Sequence, residues 1–262
     1  MNRKALGIII AVAIILGGII IFSLKKCSGP SPQALVNQAK EFSAKGDLLA
    51  AKNAYLKLIN DFTDSQEVAN WQKKSEELNI KLLFSPVVTP KAVLYEIAPG
   101  DTLTKIARKF KTTTELIKKS NNLQDAIMPG RKIKVWNAPF SILVDKSNNT
   151  LILKSEEEVL KTYVVSSGKD NCTPVGNFKI TNKLLNPTWF KKGDNVISST
   201  DPKNALGSRW LGIDSPGYGI HGTIEPQNLG KQATEGCIRM SNPDVEELYI
   251  IVPVGTEVTI VD

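Results

Sequence analysis

Histidine is all but missing from the chain, which holds a single one, His221, among its 262 residues. Any step that needs an imidazole base therefore falls to that residue. Cysteine is nearly as scarce, and three is an odd number that argues against a disulfide framework. Aromatic residues make up 6%, and none is interleaved with a basic patch. Without that pairing, the net charge of +7 reads as a solvated basic surface and not as a nucleic-acid interface. No phosphate-binding loop and no cluster of metal ligands is legible, so no metal and no cofactor is implied. Apolar residues, at 42%, are ample for packed cores, and the length allows one large domain or two to three small ones.

The scarce residues come close together. Gly217-Tyr218-Gly219-Ile220-His221-Gly222-Thr223 is followed, after a polar loop, by Thr234-Glu235-Gly236-Cys237-Ile238-Arg239-Met240. A free thiol titrates near 8.5, so only about 3% is thiolate at pH 7. A nearby imidazole that takes the proton turns it into a strong nucleophile. Gly236 lets the backbone bend sharply before Cys237 and brings main-chain N–H groups toward an attacked carbonyl. If Cys237-Ile238-Arg239 is extended, Arg239 projects from the same face as the thiol. Its guanidinium then favours the thiolate or holds a substrate carboxylate. The plainer alternative is that a lone cysteine and a lone histidine only pack. The glycines that crowd both residues, where a core strand would carry side chains, favour chemistry.

At these residues the chain resembles the L,D-transpeptidase catalytic domain (YkuD-like). The likeness runs upstream through Ser166-Ser167-Gly168-Lys169, Thr173-Pro174-Val175-Gly176-Asn177-Phe178, Asn186-Pro187-Thr188-Trp189 and Leu206-Gly207-Ser208-Arg209-Trp210-Leu211-Gly212. One departure is the family's second histidine, two positions before the cysteine, where this chain has Glu235. The resemblance implies peptidoglycan stem peptides as substrate, with Cys237 attacking and expelling a terminal D-alanine. His221 is then the base, oriented by the main-chain carbonyl of Gly222. Gly236 and Cys237 N–H groups hold the oxyanion, and Arg239 and Thr223 belong with the oxyanion and substrate contacts. Capture by the side-chain amine of a second stem gives a 3→3 cross-link. Capture by water instead makes a carboxypeptidase or endopeptidase from the same Cys-His pair. A third reading is a non-catalytic, membrane-tethered wall-binding scaffold. Trp189, Trp210 and Tyr218 are either cleft or core, and Cys172 is within reach of Cys237 in a compact fold.

Upstream, the uncharged, mostly apolar run that begins at Ala5 and ends at Leu24 is flanked by Arg3, Lys4, Lys25 and Lys26. As a helix it spans roughly 30 Å, the thickness of a bilayer core. It reads as an uncleaved signal anchor that holds the rest outside the cytoplasmic membrane, in periplasm or wall. Cys27, after two lysines, is not read as a lipidation site. Ser31 and Pro32 open a helix that Gly46 stops. Asp47 opens a second with Leu48, Ala51, Tyr55, Leu58 and Phe62 on one face. Ser65 opens a third with Val68, Trp71, Leu78 and Leu82 at helical spacing. The pair resembles one tetratricopeptide-like unit, either a stalk or a small bundle docked on a neighbour.

After the proline-rich linker at residues 85–90 comes Tyr95-x-Ile97-x-x-Gly100-Asp101-Thr102-Leu103-x-x-Ile106-Ala107, then Asn121-x-Leu123 and Pro129-Gly130-x-x-Ile133-x-Val135. This resembles a LysM domain, which implies a βααβ fold and a peptidoglycan glycan strand as ligand. Asp101 is expected to cap its first helix, and Thr112 with Glu115 to form a capping box for the second. From Phe140 the period is two, with a hairpin turn at Asn148-Asn149. The whole reads as a multidomain α+β protein in four parts. They are a transmembrane helix (1–27), a tetratricopeptide-like helical stalk with flanking linkers (28–90), a βααβ LysM domain (91–137) and a mostly-β L,D-transpeptidase catalytic domain, a β-sandwich (138–262). Its partners are peptidoglycan, with stem peptides at the catalytic domain and glycan at LysM, and the membrane through residues 5–24.

Overall fold

The computed structural model describes residues 29–191 and 195–262. The expected anchor and Cys27 lie outside the described residues. Among those described, no helix is long and apolar enough to cross a membrane.

Three helices come first, α1 (Pro32–Ala44), α2 (Leu48–Asp61) and α3 (Val68–Leu83). The Asp47 carboxylate accepts the Ala50 N–H at 3.0 Å and caps α2. Leu35, Ala39, Ala51, Tyr55, Leu58, Trp71 and Leu78 form their shared core. Ser65 does not cap α3; its Oγ accepts from Glu67 N–H one turn ahead of the helix, and Glu67 occupies the cap without a side-chain bond. The far side of α3 belongs elsewhere. Ile80 and Leu83 enter the core of the catalytic region, Asn79 Nδ2 donates to the Val159 and Leu160 carbonyls at 3.1 Å each, and Glu76 accepts from Thr162. The helical segment is docked along a sheet edge instead of standing off as a stalk.

The next unit is β1 (Ala92–Glu96), α4 (Leu103–Lys109), α5 (Thr114–Asn121) and β2 (Lys132–Trp136), with β1 and β2 antiparallel. Both caps fall one residue later than expected. Thr102, in extended backbone, accepts from Lys105 N–H, while the Asp101 carboxylate accepts from Ala98 N–H and the Tyr95 hydroxyl. Thr113, not Thr112, accepts from Leu116 N–H, so no capping box forms with Glu115. This unit is welded to its neighbours. Lys134 is buried, and its ammonium donates to the Leu82 and Ser85 carbonyls at 2.6 and 2.8 Å, closing the end of α3. Leu116 and Trp136 share the catalytic core.

The remaining elements are β3 (Phe140–Asp145), β4 (Thr150–Ser155), β5 (Glu158–Val164), β6 (Ser167–Gly168), β7 (Gly176–Leu185), β8 (Trp189–Lys191), β9 (Asn195–Ile197), β10 (Arg209–Ile213), β11 (Gly219–His221), β12 (Gln232–Thr234), β13 (Ile238–Arg239), α6 (Asn242–Ile251) and β14 (Glu257–Val261). Alternate residues of β3 and β4 are buried, as a half-covered sheet requires. Eight strands form one sheet in the order β13-β11-β10-β7-β14-β3-β4-β5. Its two edges meet, because Ser166, just past β5, exchanges main-chain hydrogen bonds of 2.8 and 2.9 Å with Arg239 of β13. The sandwich implied by the resemblance takes the form of a single sheet closed on itself. The residues of interest lie at that closure.

Candidate active site

β11 ends at His221, which pairs with Trp210 on β10 and with Arg239 on β13. The imidazole is 4% exposed and stacks on the Trp210 indole, with centroids 5.8 Å apart and planes at 19°. Its Nδ1 lies 2.7 Å from the Gly222 carbonyl. A carbonyl only accepts, so Nδ1 carries the hydrogen and Nε2 is left as the basic nitrogen. Burial, helped by the Arg239 charge, pulls the imidazole down to about 4, against hydrogen bonds that it donates to the Gly222 and Leu206 carbonyls. It is therefore neutral at pH 7.

The loop behind it hangs on Asn242, the first residue of α6. Its Oδ1 accepts from Ser208 N–H at 3.2 Å and Thr223 N–H at 3.1 Å, and its Nδ2 donates to the Thr223 carbonyl at 2.9 Å. The fit depends on two glycines, since a Cβ on Gly207 or Gly222 would lie 2.2 or 2.1 Å from that oxygen.

Cys237 directly precedes β13 and is partly open to solvent. Its Sγ donates a long, 3.5 Å hydrogen bond to the Gly217 carbonyl. Burial pushes the thiol up; the Gly219 main chain and Arg239 pull the other way, and Glu235 and Cys172 add to the rise. The resting pair is thus a thiol and a neutral imidazole. Main-chain bonds hold the turn behind the sulfur. Thr173 Oγ1 accepts from Gly168 N–H at 2.7 Å and donates to the Gly236 carbonyl at 2.8 Å. Thr234 Oγ1 donates to the Cys237 carbonyl at 2.7 Å and accepts from Gly236 N–H at 3.1 Å. Gly236 has φ of +122°, and a Cβ there would lie 2.5 Å from the Tyr218 ring.

Cys237, His221 and Arg239 line one cavity of about 390 Å³, with Lys169, Glu235, Tyr218 and Trp189 in its walls. Two expected contacts fall elsewhere. The Gly236 N–H is taken by Thr234 and does not face an oxyanion. Thr223 is buried outside the cavity lining, and its Oγ1 accepts from Glu225 N–H within the loop behind the imidazole. The Gly222 carbonyl stands at hydrogen-bond distance from the imidazole, the contact that an orienting role requires. Arg239 pairs with Glu225 at 3.1 Å, and its buried Nε has no protein partner among the described residues. Cys172 is a free, exposed thiol. Asn242, Thr173 and Thr234 were not legible as site residues. Asn242 and Thr173 are signalled only by the glycines packed against the motifs, which mark where neighbouring side chains must approach the main chain, and Thr234 by its place two residues before Gly236.

Residues 139–260 match the family model of the L,D-transpeptidase catalytic domain, and residues 95–136 match that of the LysM domain. YkuD of Bacillus subtilis (strain 168), which carries the name L,D-transpeptidase, is 37% identical over 174 residues, 63% of this chain and 97% of its own. A protein of the same name from Bacillus licheniformis is 35% identical over 178 residues, 64% of this chain and 98% of its own. YqjB of Bacillus subtilis, similarly named, is 42% identical over 127 residues, 46% and 70% of the two chains. With such a relative spanned almost whole, the chain belongs to the L,D-transpeptidase family, acyltransferase-type enzymes that act on peptidoglycan.

Proposed function

We propose that the chain cross-links peptidoglycan stem peptides through a cysteine acyl-enzyme. Cys237 Sγ attacks the carbonyl of the L-configured centre of the third stem residue. His221 Nε2 takes the thiol proton and then delivers it to the departing amine of the terminal D-alanine. The side-chain amine of a second stem attacks the thioester, the thiol is regenerated, and a 3→3 link results. One observation carries the reading: the sole imidazole is neutral, held by a main-chain carbonyl, and shares a cavity with the thiol. With Gly236 N–H engaged, the Cys237 amide is the oxyanion donor. Arg239 lines the same cavity as the thiol and, paired with Glu225, offers its guanidinium to a substrate carboxylate. The LysM domain holds the glycan strand. The apolar run at residues 5–24 anchors the chain in the cytoplasmic membrane with the catalytic region outside it, where the wall is.

The test is mass spectrometry of the full chain incubated with a disaccharide-tetrapeptide. A cross-linked dimer with loss of D-alanine, absent in Cys237→Ala, is the expected result. Tripeptide without dimer makes water the acceptor and replaces cross-linking by hydrolysis. Unchanged substrate rejects an acyl-enzyme altogether.

A further inference from the structure

Lys146, in the turn after β3, is 2% exposed and belongs to none of the machinery described above. An ammonium is expensive to bury unless a carboxylate and carbonyls surround it. Its Nζ pairs with the Asp262 carboxylate at 2.9 Å and donates to the main-chain carbonyls of Thr173 at 2.9 Å and Asn171 at 3.4 Å. Asn171 Nδ2 donates to the same Asp262 oxygen at 2.8 Å. The segment so gripped lies between β6 and β7, where Asp170 and Asn171 have φ of +50° and +61°. Residues other than glycine visit that region only where something holds them there.

Thr173 leads from this anchor to the thiol. Its Oγ1 accepts from Gly168 N–H and donates to the Gly236 carbonyl, so its one hydroxyl hydrogen is committed. No peptide bond among the described residues is cis, so the Gly236–Cys237 peptide is planar and trans. Its C=O and N–H point in opposite directions, and a bond that fixes the first aims the second. Gly236, at φ +122°, gives that plane no side-chain restraint of its own. The hydroxyl of Thr173 is thus what aims the Cys237 N–H, the oxyanion donor of the reaction above.

Neither Lys146 nor Thr173 lines the cavity that holds the thiol. The route through them runs from the end of β3, by way of the segment before β7, to the residues ahead of β13. Packing alone does not call for a charge, since a methionine would fill the same space with no ammonium to desolvate. We propose that Lys146 is a positioning residue for acyl transfer, acting through Thr173 to aim the Cys237 N–H at the oxyanion. The proposal rests on the acyl-enzyme reading above and adds residues that set its rate without touching substrate.

The experiment compares D-alanine release with thiol alkylation, in the full chain in detergent micelles. In Lys146→Met kcat should fall about 30-fold with KM unchanged, because only a transition-state contact is weakened. Alkylation of Cys237 by iodoacetamide, followed on its own peptide by mass spectrometry, should keep the wild-type rate, since that reaction forms no oxyanion. Thr173→Val should reproduce both results, and Thr173→Ser should restore kcat. The double variant Lys146→Met/Thr173→Val should lose no more than Thr173→Val alone. Asp262→Ala, at an exposed position, should show the same pattern in weaker form and takes the place of Lys146→Met if that variant does not fold. A wild-type kcat in folded Lys146→Met, or in Asp262→Ala where it takes that place, overturns the proposal. So do losses that multiply in the double variant, and so does a parallel fall in alkylation, which would put the effect on the thiol–imidazole pair. A wild type inert toward disaccharide-tetrapeptide refutes the cross-linking reading alone. The same comparison then uses p-nitrophenyl acetate, whose acylation of Cys237 forms an oxyanion whatever the natural substrate.

Discussion

The two strand ends that carry the reactive pair are held in opposite ways. On the β11 side the side chain itself is immobilised: His221 is buried, stacked on Trp210 and bonded to its neighbour's carbonyl. On the β13 side the side chain is nearly free, with one long bond from Cys237 Sγ, and the order lies in the backbone behind it. The difference follows from their tasks. A base must keep one tautomer and one direction, so burial serves it. A nucleophile must meet a substrate and carry an acyl group, so only its main chain can be fixed. Desolvation also pushes the two groups apart in the same useful sense, since it keeps the imidazole unprotonated and the thiol uncharged until substrate arrives.

This contrast is open to being broken. The largest effect should come from His221→Gln, which keeps an amide near the Gly222 carbonyl but supplies no base. D-alanine release should fall roughly 10⁴-fold, and a smaller loss would shift the proton-accepting role to another group. Next is acid. Between about 6.5 and 4 the unfolded chain takes up a proton at residue 221 that the folded chain refuses. Stability should be unaffected above pH 6.5 and fall by about 3 kcal/mol by pH 4, where both states are protonated. Denaturant titrations across that window should show the slope in the wild type and its absence in His221→Gln. The acid limb of kcat/KM should likewise sit near 4. Asn242→Ala removes three hydrogen bonds from the loop behind His221, and kcat should drop about 100-fold with KM little changed. A rise in KM alone would mean that Asn242 shapes the cavity and not the base. The smallest change is expected on the cysteine side, where Thr234→Val deletes two bonds at constant size and should cost about tenfold in rate. An increase instead would mean that the Gly236 amide, once released, is the better oxyanion donor.

Much of this architecture is legible in the chain itself, and what escapes is mostly non-local. The alternation from Phe140 and the Asn148-Asn149 turn lead directly to β3 and β4, because a half-buried hairpin needs that period. The reactive pair stands out because no other imidazole competes. The caps slip by one residue, since Asp101 and Thr102 are equally able to cap and only the backbone decides. Thr102 has φ −130° and ψ 155°, the cap conformation, and Asp101 is drawn off to Tyr95 and Ala98. Helical spacing identifies the face of α3 that packs on α1 and α2, but not that Ile80 and Leu83 serve a second core. The capture of Gly236 N–H by a threonine two residues earlier is a local pattern that a closer reading would find. The meeting of Ser166 with Arg239 has no local signature at all.

The place of β14 has a consequence for when the enzyme becomes active. It follows every other strand in the chain, yet it lies in the interior of the sheet, antiparallel to β7 and parallel to β3. Until residues 257–261 insert, no strand pairs β3 with β7, and the β3–β4–β5 half meets the half that bears the reactive pair through the Ser166–Arg239 joint and side-chain contacts such as Tyr163 with Glu247. Pairing Glu257 with Ser141 closes a very long loop and is expected to come late in folding. A chain in which β14 has not yet inserted would therefore carry both His221 and Cys237 without holding them in register. Reactivity would switch on only once residues 257–261 have joined the sheet.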